Sequence, residues 1–163
     1  MPRPRANPMH GVQVRCTMVS VVVLRGTGAA TQMLVVRRAG EYLHGVWSYI
    51  AGHVAAGETG WQAARRELRE ETGLVPDMFH ATSFCEQFYA AASNCIEIVP
   101  AFVARVAIDA EARLNAEHSA SRWVSLAEAA GLLPFGSQRE LLAHVEREFI
   151  QRQPPAFLRL PAE

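Results

Sequence analysis

The chain has 163 residues, of which 50% are hydrophobic and 20% charged, so it can form a packed core, and wholesale disorder is excluded. The 16 residues of Asp and Glu balance 16 of Lys and Arg, which argues against a protein that binds duplex nucleic acid through a basic surface. No apolar stretch reaches the ~20 residues that a membrane span requires, so we expect no membrane partner.

The N-terminal region begins with a segment that has no periodic pattern. Residues 1–11 contain three prolines, and we expect a loose tail there. The apolar run at residues 18–24 follows several arginines, which makes it similar to the apolar part of a signal peptide. Its β-branched centre, and Arg25 directly after it, favour a buried strand instead.

The rest of the first half predicts two further strands and one helix. The first two strands are separated by a glycine-rich turn, which suggests a hairpin, and the third leads into Gly52. The clearest helix covers residues 59–72, because Thr59 and Gln62 have the spacing of a capping box and Gly73 provides a stop. The three strands are predicted at residues 17–24, 33–36 and 46–51.

The second half predicts three strands followed by two helices. Ser125 and Glu128 are spaced as the capping box of a brief helix, and Ser137 and Glu140 as that of a longer one. The prolines after the longer helix end it, and the last residues are expected to be a tail. The sequence therefore predicts a single mixed α/β domain over residues 1–163, with its core at about 17–150. The strands of this half are predicted at residues 80–89, 96–107 and 122–124.

The three cysteines indicate no covalent framework. Cys16, Cys85 and Cys95 include no CxxC pair, so neither a set of disulfides nor a zinc ribbon is predicted. Free thiols fit a reducing compartment, and we therefore expect a cytoplasmic protein.

Three carboxylates share one face of the central helix. Glu67, Glu70 and Glu71 have the spacing i, i+3, i+4, which places them together at 3.6 residues per turn. Like charges at this spacing repel each other, and a hard divalent cation such as Mg²⁺ would offset the repulsion. The alternative is a solvated acidic face, in which the arginines of the same helix pair with the glutamates.

The residues around this helix form a longer pattern that resembles a known family motif. From Gly52 the chain continues with five residues, Glu58, seven residues, and Arg66-Glu67-Leu68-x-Glu70-Glu71-x-Gly73-Leu74. This resembles the Nudix box of the Nudix hydrolases at every fixed position. Gly52 and Gly57 permit the loop to turn tightly onto the helix. One departure is Ala51, where many members have a second glycine.

The resemblance implies an α/β/α sandwich with a mixed sheet, and a pyrophosphohydrolase that acts on a nucleoside diphosphate linked to another group. It implies that Glu67, Glu70 and Glu71 bind the metal, Mg²⁺ or alternatively Mn²⁺. Glu67 is the first choice for the general base, although the sequence leaves this assignment open among the glutamates. Glu70 and Arg66 complete the catalytic group, with Glu58 in support. The implied partner is a small phosphorylated substrate.

A second similarity lies outside the box. Glu117-His118 followed by Trp123 resembles the dihydroneopterin triphosphate pyrophosphatase branch, where this Glu completes the metal site. Arg37 and Arg38, at the end of a strand, also match that branch and are the candidate contacts for the substrate's phosphates. All of the positive residues of the chain are arginine, whose planar group suits phosphate oxygens. The alternatives are a solvated strand end for the arginines, a surface glutamate for Glu117 and a structural role for His118.

Several alternatives stay open at this level. Glu97 and Glu86, on the preceding strands, compete with Glu117 for the last metal-binding position. The substrate is expected to be a nucleoside or dihydroneopterin triphosphate, cleaved to a monophosphate and pyrophosphate. A dinucleoside polyphosphate, ADP-ribose or a nucleotide sugar is the alternative, and a nucleotide-binding module without catalysis is another. The sequence leaves the oligomeric state open, a homodimer included.

Overall fold

The computed structural model describes residues 11–162, and the predicted N-terminal tail at residues 1–10 lies outside them. Within this part of the chain a mixed sheet of eight strands separates one helix on its first face from two helices on its second. The strands are β1 (Gln13–Arg15), β2 (Met18–Arg25), β3 (Gln32–Arg38), β4 (Trp47–Ser48), β5 (Ile50–His53), β6 (Met78–Ala90), β7 (Cys95–Arg105) and β8 (His118–Val124). The helices are α1 (Gly60–Thr72), α2 (Leu126–Leu132) and α3 (Gly136–Val145), and α3 continues into a π-helical turn at Glu146–Ile150.

The central strand β2 has different neighbours along its two edges. It runs parallel to β7 on one edge, and on the other it pairs antiparallel with β5 near its start and with β3 at its end. The segment from β4 to β5 pairs first with β3 and then with β2. β6 lies outside β7, and β8 lies outside β3. This segment therefore separates β2 from β3 over most of their length, and it ends at the loop that leads to α1.

Both faces of the sheet are buried at its central strand, β2. Val21 and Val23 of β2 belong to the cluster that α1 covers, together with Leu68 of α1. Val22 and Leu24 belong to the cluster under α2 and α3. A strand that is buried on both faces has a continuous apolar sequence, which explains the run that is similar to a signal peptide. The expected α/β/α sandwich is confirmed.

The predicted capping boxes are correct for two helices. Thr59 and Gln62 cap α1 reciprocally, and Ser125 and Glu128 do the same for α2. Gly73 ends α1 in the left-handed conformation, with φ of 68°. Local sequence signals thus define both ends of the helix that carries the carboxylates.

The predicted start of α3 is wrong. The helix begins at Gly136, and the side chain of Gln138 accepts a hydrogen bond from the Phe135 N–H at 3.4 Å. The hydroxyl of Ser137 does not cap this helix, since it donates to Glu86 of β6 at 2.8 Å. No helix in residues 11–162 is long and apolar enough to cross a membrane.

Candidate active site

The acidic face of α1 lies against the end of β5. A Cβ atom on Gly52 would overlap the carboxyl group of Glu67, so glycine is required here by close approach. The predicted turn-forming role belongs to Gly57 instead, whose φ is 79°. The Glu67 side chain is only 13% exposed as a result.

Arg66 connects three of the box carboxylates. Its guanidinium donates to both oxygens of Glu58, at 2.9 and 3.0 Å, to Glu67 Oε1 at 2.8 Å and to Glu70 Oε2 at 3.1 Å. A further bond to the carbonyl oxygen of His53, at 2.9 Å, fixes the guanidinium against the end of β5. The hydrogen bonds from Arg66 lower the pKa of Glu58, and those to Glu58 and Glu67 raise the pKa of Arg66. Arg66 therefore gathers the three carboxylates around its guanidinium group.

The third carboxylate of the face, Glu71, is buried beside a histidine. The residue is 1% exposed, and its Oε2 lies 2.5 Å from His118 Nε2. Its Oε1 is also buried and has no hydrogen-bond partner within residues 11–162. Burial raises the pKa of Glu71, the bond to His118 opposes the rise, and the charges of Glu117 and Glu67 add to it.

A β-bulge directs His118 toward α1. Trp123 packs in the cluster that α1 covers, and strict alternation along β8 would direct His118 to the opposite face. The register with β3 shifts, however, so that Arg37 pairs with Ala120 and Arg38 with His118. The extra residue, Ser119, is exposed. The bulge therefore brings His118 to the face where it contacts Glu71.

These residues suit a hard divalent cation. An unpaired carboxylate oxygen that is buried costs free energy unless a cation or a donor reaches it, and Glu71 Oε1 is such an atom. Carboxylate oxygens are the ligands that Mg²⁺ and Mn²⁺ prefer. In the described part of the chain no three acidic, His or Cys side chains are already gathered at metal-binding distances, since Glu67 and Glu70 bond to Arg66. Metal binding therefore requires rotation of these side chains.

The other predicted site residues lie at the end of β3 and the start of β8. Glu117 is exposed, and its carboxylate accepts a bond from the Asn115 side chain at 3.2 Å. The Ala39 N–H donates to the Glu117 carbonyl at 2.8 Å, which places Glu117 beside Arg38. Glu117 is also near enough to raise the pKa of Glu71. The structure thus brings Glu117 near the α1 face.

Arg37 and Arg38 both bond to the loop that follows β3. Arg37 Nε donates to the carbonyl of Gly45 at 3.3 Å, and Arg38 Nε donates to the carbonyl of Tyr42 at 3.1 Å. Neither residue is buried. Each arginine can therefore exchange its bond to a carbonyl for a bond to a phosphate oxygen.

The competing candidates, Glu86 and Glu97, lie on the opposite face of the sheet. On β7, Glu97 and Ala101 are four positions apart, so their side chains lie on the same face of the sheet. Ala101 packs under α2 and α3. Glu97 accepts a bond from Arg15 Nε at 2.7 Å. Glu86 accepts bonds from the hydroxyl groups of Tyr49 and Ser137. The structure does not bring either carboxylate to α1. Sequence analysis missed these partners because they are 37 to 82 positions away and share no motif.

Comparison with known proteins is consistent with this geometry. The family model of the NUDIX domain matches residues 15–153. The octanoyltransferase of Myxococcus xanthus is 42% identical over 127 residues, which cover 75% of this chain but 34% of that protein. The asymmetrical bis(5'-nucleosyl)-tetraphosphatase of Rattus norvegicus is 34% identical over 98 residues, which cover 59% of this chain and 67% of the relative. The chain thus spans about a third of the first relative and two thirds of the second.

A solved structure shows the same fold. The crystal structure of a Caenorhabditis elegans Ap4A hydrolase binary complex superposes with a TM-score of 0.68. The alignment has 22% sequence identity and covers 83% of this chain and 96% of that one.

Proposed function

Since the chain belongs to the Nudix family, we propose that it hydrolyses phosphoric anhydride bonds. The specific proposal is a Mg²⁺-dependent enzyme that cleaves a nucleoside or dihydroneopterin triphosphate to the monophosphate and pyrophosphate. The observation that carries the metal dependence is Oε1 of Glu71 on the acidic face of α1, which is buried and has no hydrogen-bond partner among residues 11–162. Hydrolases of this family generally use divalent metal ions.

The metal would be held by Glu67, Glu70 and Glu71, with Glu117 from the start of β8. When bound, a divalent cation neutralises phosphate charge and lowers the pKa of an attacking water. Glu67 is the candidate general base, because its side chain lies against the end of β5 and bonds to Arg66. Glu117 is supported by its exposure and by its effect on the pKa of Glu71.

Arg37 and Arg38 are the candidate contacts for the distal phosphates. They are the last two residues of β3 and lie beside Glu117, with Arg37 exposed and Arg38 partly exposed. A planar guanidinium can bind two phosphate oxygens at once. Truncation of the residue that makes this contact should weaken triphosphate binding more than diphosphate binding, because the lost bond is to the end of the substrate.

A dinucleoside polyphosphate is a second candidate substrate. It is favoured by the relative of R. norvegicus, whose name states that activity and of which the alignment covers 67% at 34% identity. The same carboxylates would serve both substrates, since each contains a chain of phosphoric anhydride bonds.

The test is a panel of substrates incubated with Mg²⁺, with products identified by mass. A triphosphate substrate should give phosphate colour only when inorganic pyrophosphatase is added, because pyrophosphate is the product. Colour without that enzyme would mean stepwise loss of phosphate. A kcat/KM for a dinucleoside tetraphosphate that is about a hundredfold above every triphosphate, close to 3 kcal/mol, would replace the first substrate with the second. Absence of hydrolysis across the panel with Mg²⁺ and with Mn²⁺ would overturn the metal-dependent mechanism.

A further inference from the structure

The last described residues, 156–162, form a strap on the edge of the sheet. They follow the family match, which ends at residue 153. A 3-10 turn at Ala156–Leu158 leads to a β-bridge between Arg159 and His80, and the Leu160 N–H donates to the Phe79 carbonyl at 2.8 Å. The expectation of a loose C-terminal tail is therefore wrong, because main-chain hydrogen bonds hold the strap to the start of β6.

The strap also contributes to the core that α1 covers. Leu160 is partly buried and packs against the cluster that contains Ala64 and Leu68 of α1 and Phe79 of β6. Phe157, in contrast, is 86% exposed. Leu160 therefore anchors the strap to this core, whereas Phe157 contributes little to packing.

Arg65 connects the strap to α1. Its guanidinium donates to the main-chain oxygens of Pro161 and Ala162, the second at 2.5 Å. It also lies 4.7 Å from the centre of the Phe79 ring, within the range of a cation–π interaction. The side chain thus bridges the helix, the strap and the edge strand.

The position of Arg65 in the helix relates this bridge to the candidate active site. Successive residues of an α-helix are about 100° apart around its axis, so Arg65 and Arg66 point to neighbouring sides. Arg66 bonds to Glu58, Glu67 and Glu70, while Arg65 bonds to the strap. The two guanidinium groups therefore connect the same helical turn to two different parts of the protein.

We propose that the strap is a positioning element for the catalytic helix and that Arg65 is the positioning residue that joins them. This rests on the proposed function, because α1 carries the carboxylates that would bind the metal. Without the Arg65 bonds the apolar packing of α1 persists, but its rotation is less restricted. Glu71 then spends less time in the orientation that its contact with His118 defines, and metal affinity falls.

The test compares three variants of the full chain in the absence of substrate. Arg65→Met keeps an aliphatic side chain near Phe79 and removes the hydrogen bonds, and Arg65→Lys keeps the charge. Phe157→Ala is the matched control on the same strap. We measure Mn²⁺ affinity by electron paramagnetic resonance and amide hydrogen exchange in α1.

Arg65→Met should lower Mn²⁺ affinity about tenfold, which is within the range for residues that act on a site through packed elements without contacting its ligand, and should accelerate hydrogen exchange at residues 64–72. Arg65→Lys should recover part of both changes, and Phe157→Ala should change neither. The proposal is overturned if Arg65→Met lowers only the melting temperature while Mn²⁺ affinity and exchange in α1 match the wild type. These readouts need no substrate, so failure to hydrolyse any polyphosphate would count against the proposed function alone.

Discussion

Glu71 of α1 and His118 of β8 are 47 positions apart in the chain and meet inside the protein, with 2.5 Å between Oε2 and Nε2. The other oxygen of the same carboxylate, Oε1, has no hydrogen-bond partner in the described residues. One oxygen is therefore fixed by the fold and the other is available to a cation. His118 is thus a positioning residue for a candidate metal ligand.

Replacement of His118 should weaken metal binding. His118→Phe fills a similar volume but cannot donate to Glu71, so the carboxylate loses its fixed orientation. We expect Mn²⁺ affinity to fall at least about tenfold, as measured by titration without substrate. Ser119→Ala, at the exposed neighbouring residue, is the control and should bind Mn²⁺ like the wild type. Equal affinities for His118→Phe and wild type would show that Glu71 needs no support.

Glu71→Gln should lower the catalytic rate without lowering the stability of the fold. The variant loses a charged ligand, and we expect kcat to fall at least about a hundredfold with Mg²⁺. Because burial raises the pKa of Glu71, a neutral side chain of the same shape is favoured inside the protein. The melting temperature in excess chelator should therefore equal or exceed that of the wild type. A large loss of stability in chelator would contradict this account.

Gly52→Ala should displace Glu67. The added methyl group would occupy the space of the Glu67 carboxyl group, so the side chain must move away from β5. We expect kcat to fall about tenfold or more. Gly131→Ala in α2 is the matched control and should retain full activity, because the added carbon would meet no side chain of residues 11–162 within 4 Å beyond its two chain neighbours. Wild-type turnover by Gly52→Ala would remove Glu67 from the mechanism.

Glu117→Gln and Glu97→Gln should differ in activity. Glu117 lies beside the α1 face, whereas Glu97 is bonded to Arg15 on the other side of the sheet. We expect Glu117→Gln to lower kcat/KM about tenfold and to raise the Mg²⁺ concentration needed for half activity. Glu97→Gln should keep both values. The reverse result, with only Glu97→Gln inactive, would assign the outlying ligand to β7.

Glu97 should instead contribute to stability in a pH-dependent way. The hydrogen bond from Arg15 lowers the pKa of Glu97, so its stabilising effect is present above the pKa of the unfolded chain, near 4.3, and is lost as the pH falls through the lower folded pKa. Melting temperatures of wild type and Glu97→Gln should differ at pH 7 and converge under acid conditions. A difference that persists below pH 3 would contradict this ion-pair origin.

The sequence predicts the parts of the fold that depend on neighbouring residues. The limits of α1 follow from Thr59, Gln62 and Gly73, which act within one turn of its ends. The start of α3 was not predictable in this way, since the partner of Ser137 is Glu86, 51 positions away. β1 was missed because its three residues are exposed and have no apolar pattern. It becomes a strand only by pairing with β7.

The candidate site was likewise predictable where it depends on residues that are close together in the chain. The motif on α1 identified the carboxylates and Arg66, whose contacts are mostly within the loop and helix. The environment of Glu71 could not be inferred, because it depends on a contact with β8 and on a register shift. The face of the sheet on which Glu86 and Glu97 lie likewise depends on the pairing of strands that are far apart in the chain.

The bulge at Ser119 also affects how sequences with this fold can be aligned. Removal of Ser119 would restore regular pairing in β8, with Ala120 still opposite Arg37 and His118 still opposite Arg38. Both side chains would then keep their faces in an unbroken strand. The number of residues between His118 and Trp123 is therefore free to vary by one without loss of the contact to Glu71. An alignment that holds this spacing constant would pair Glu117 with the wrong residue in a chain that lacks the bulge.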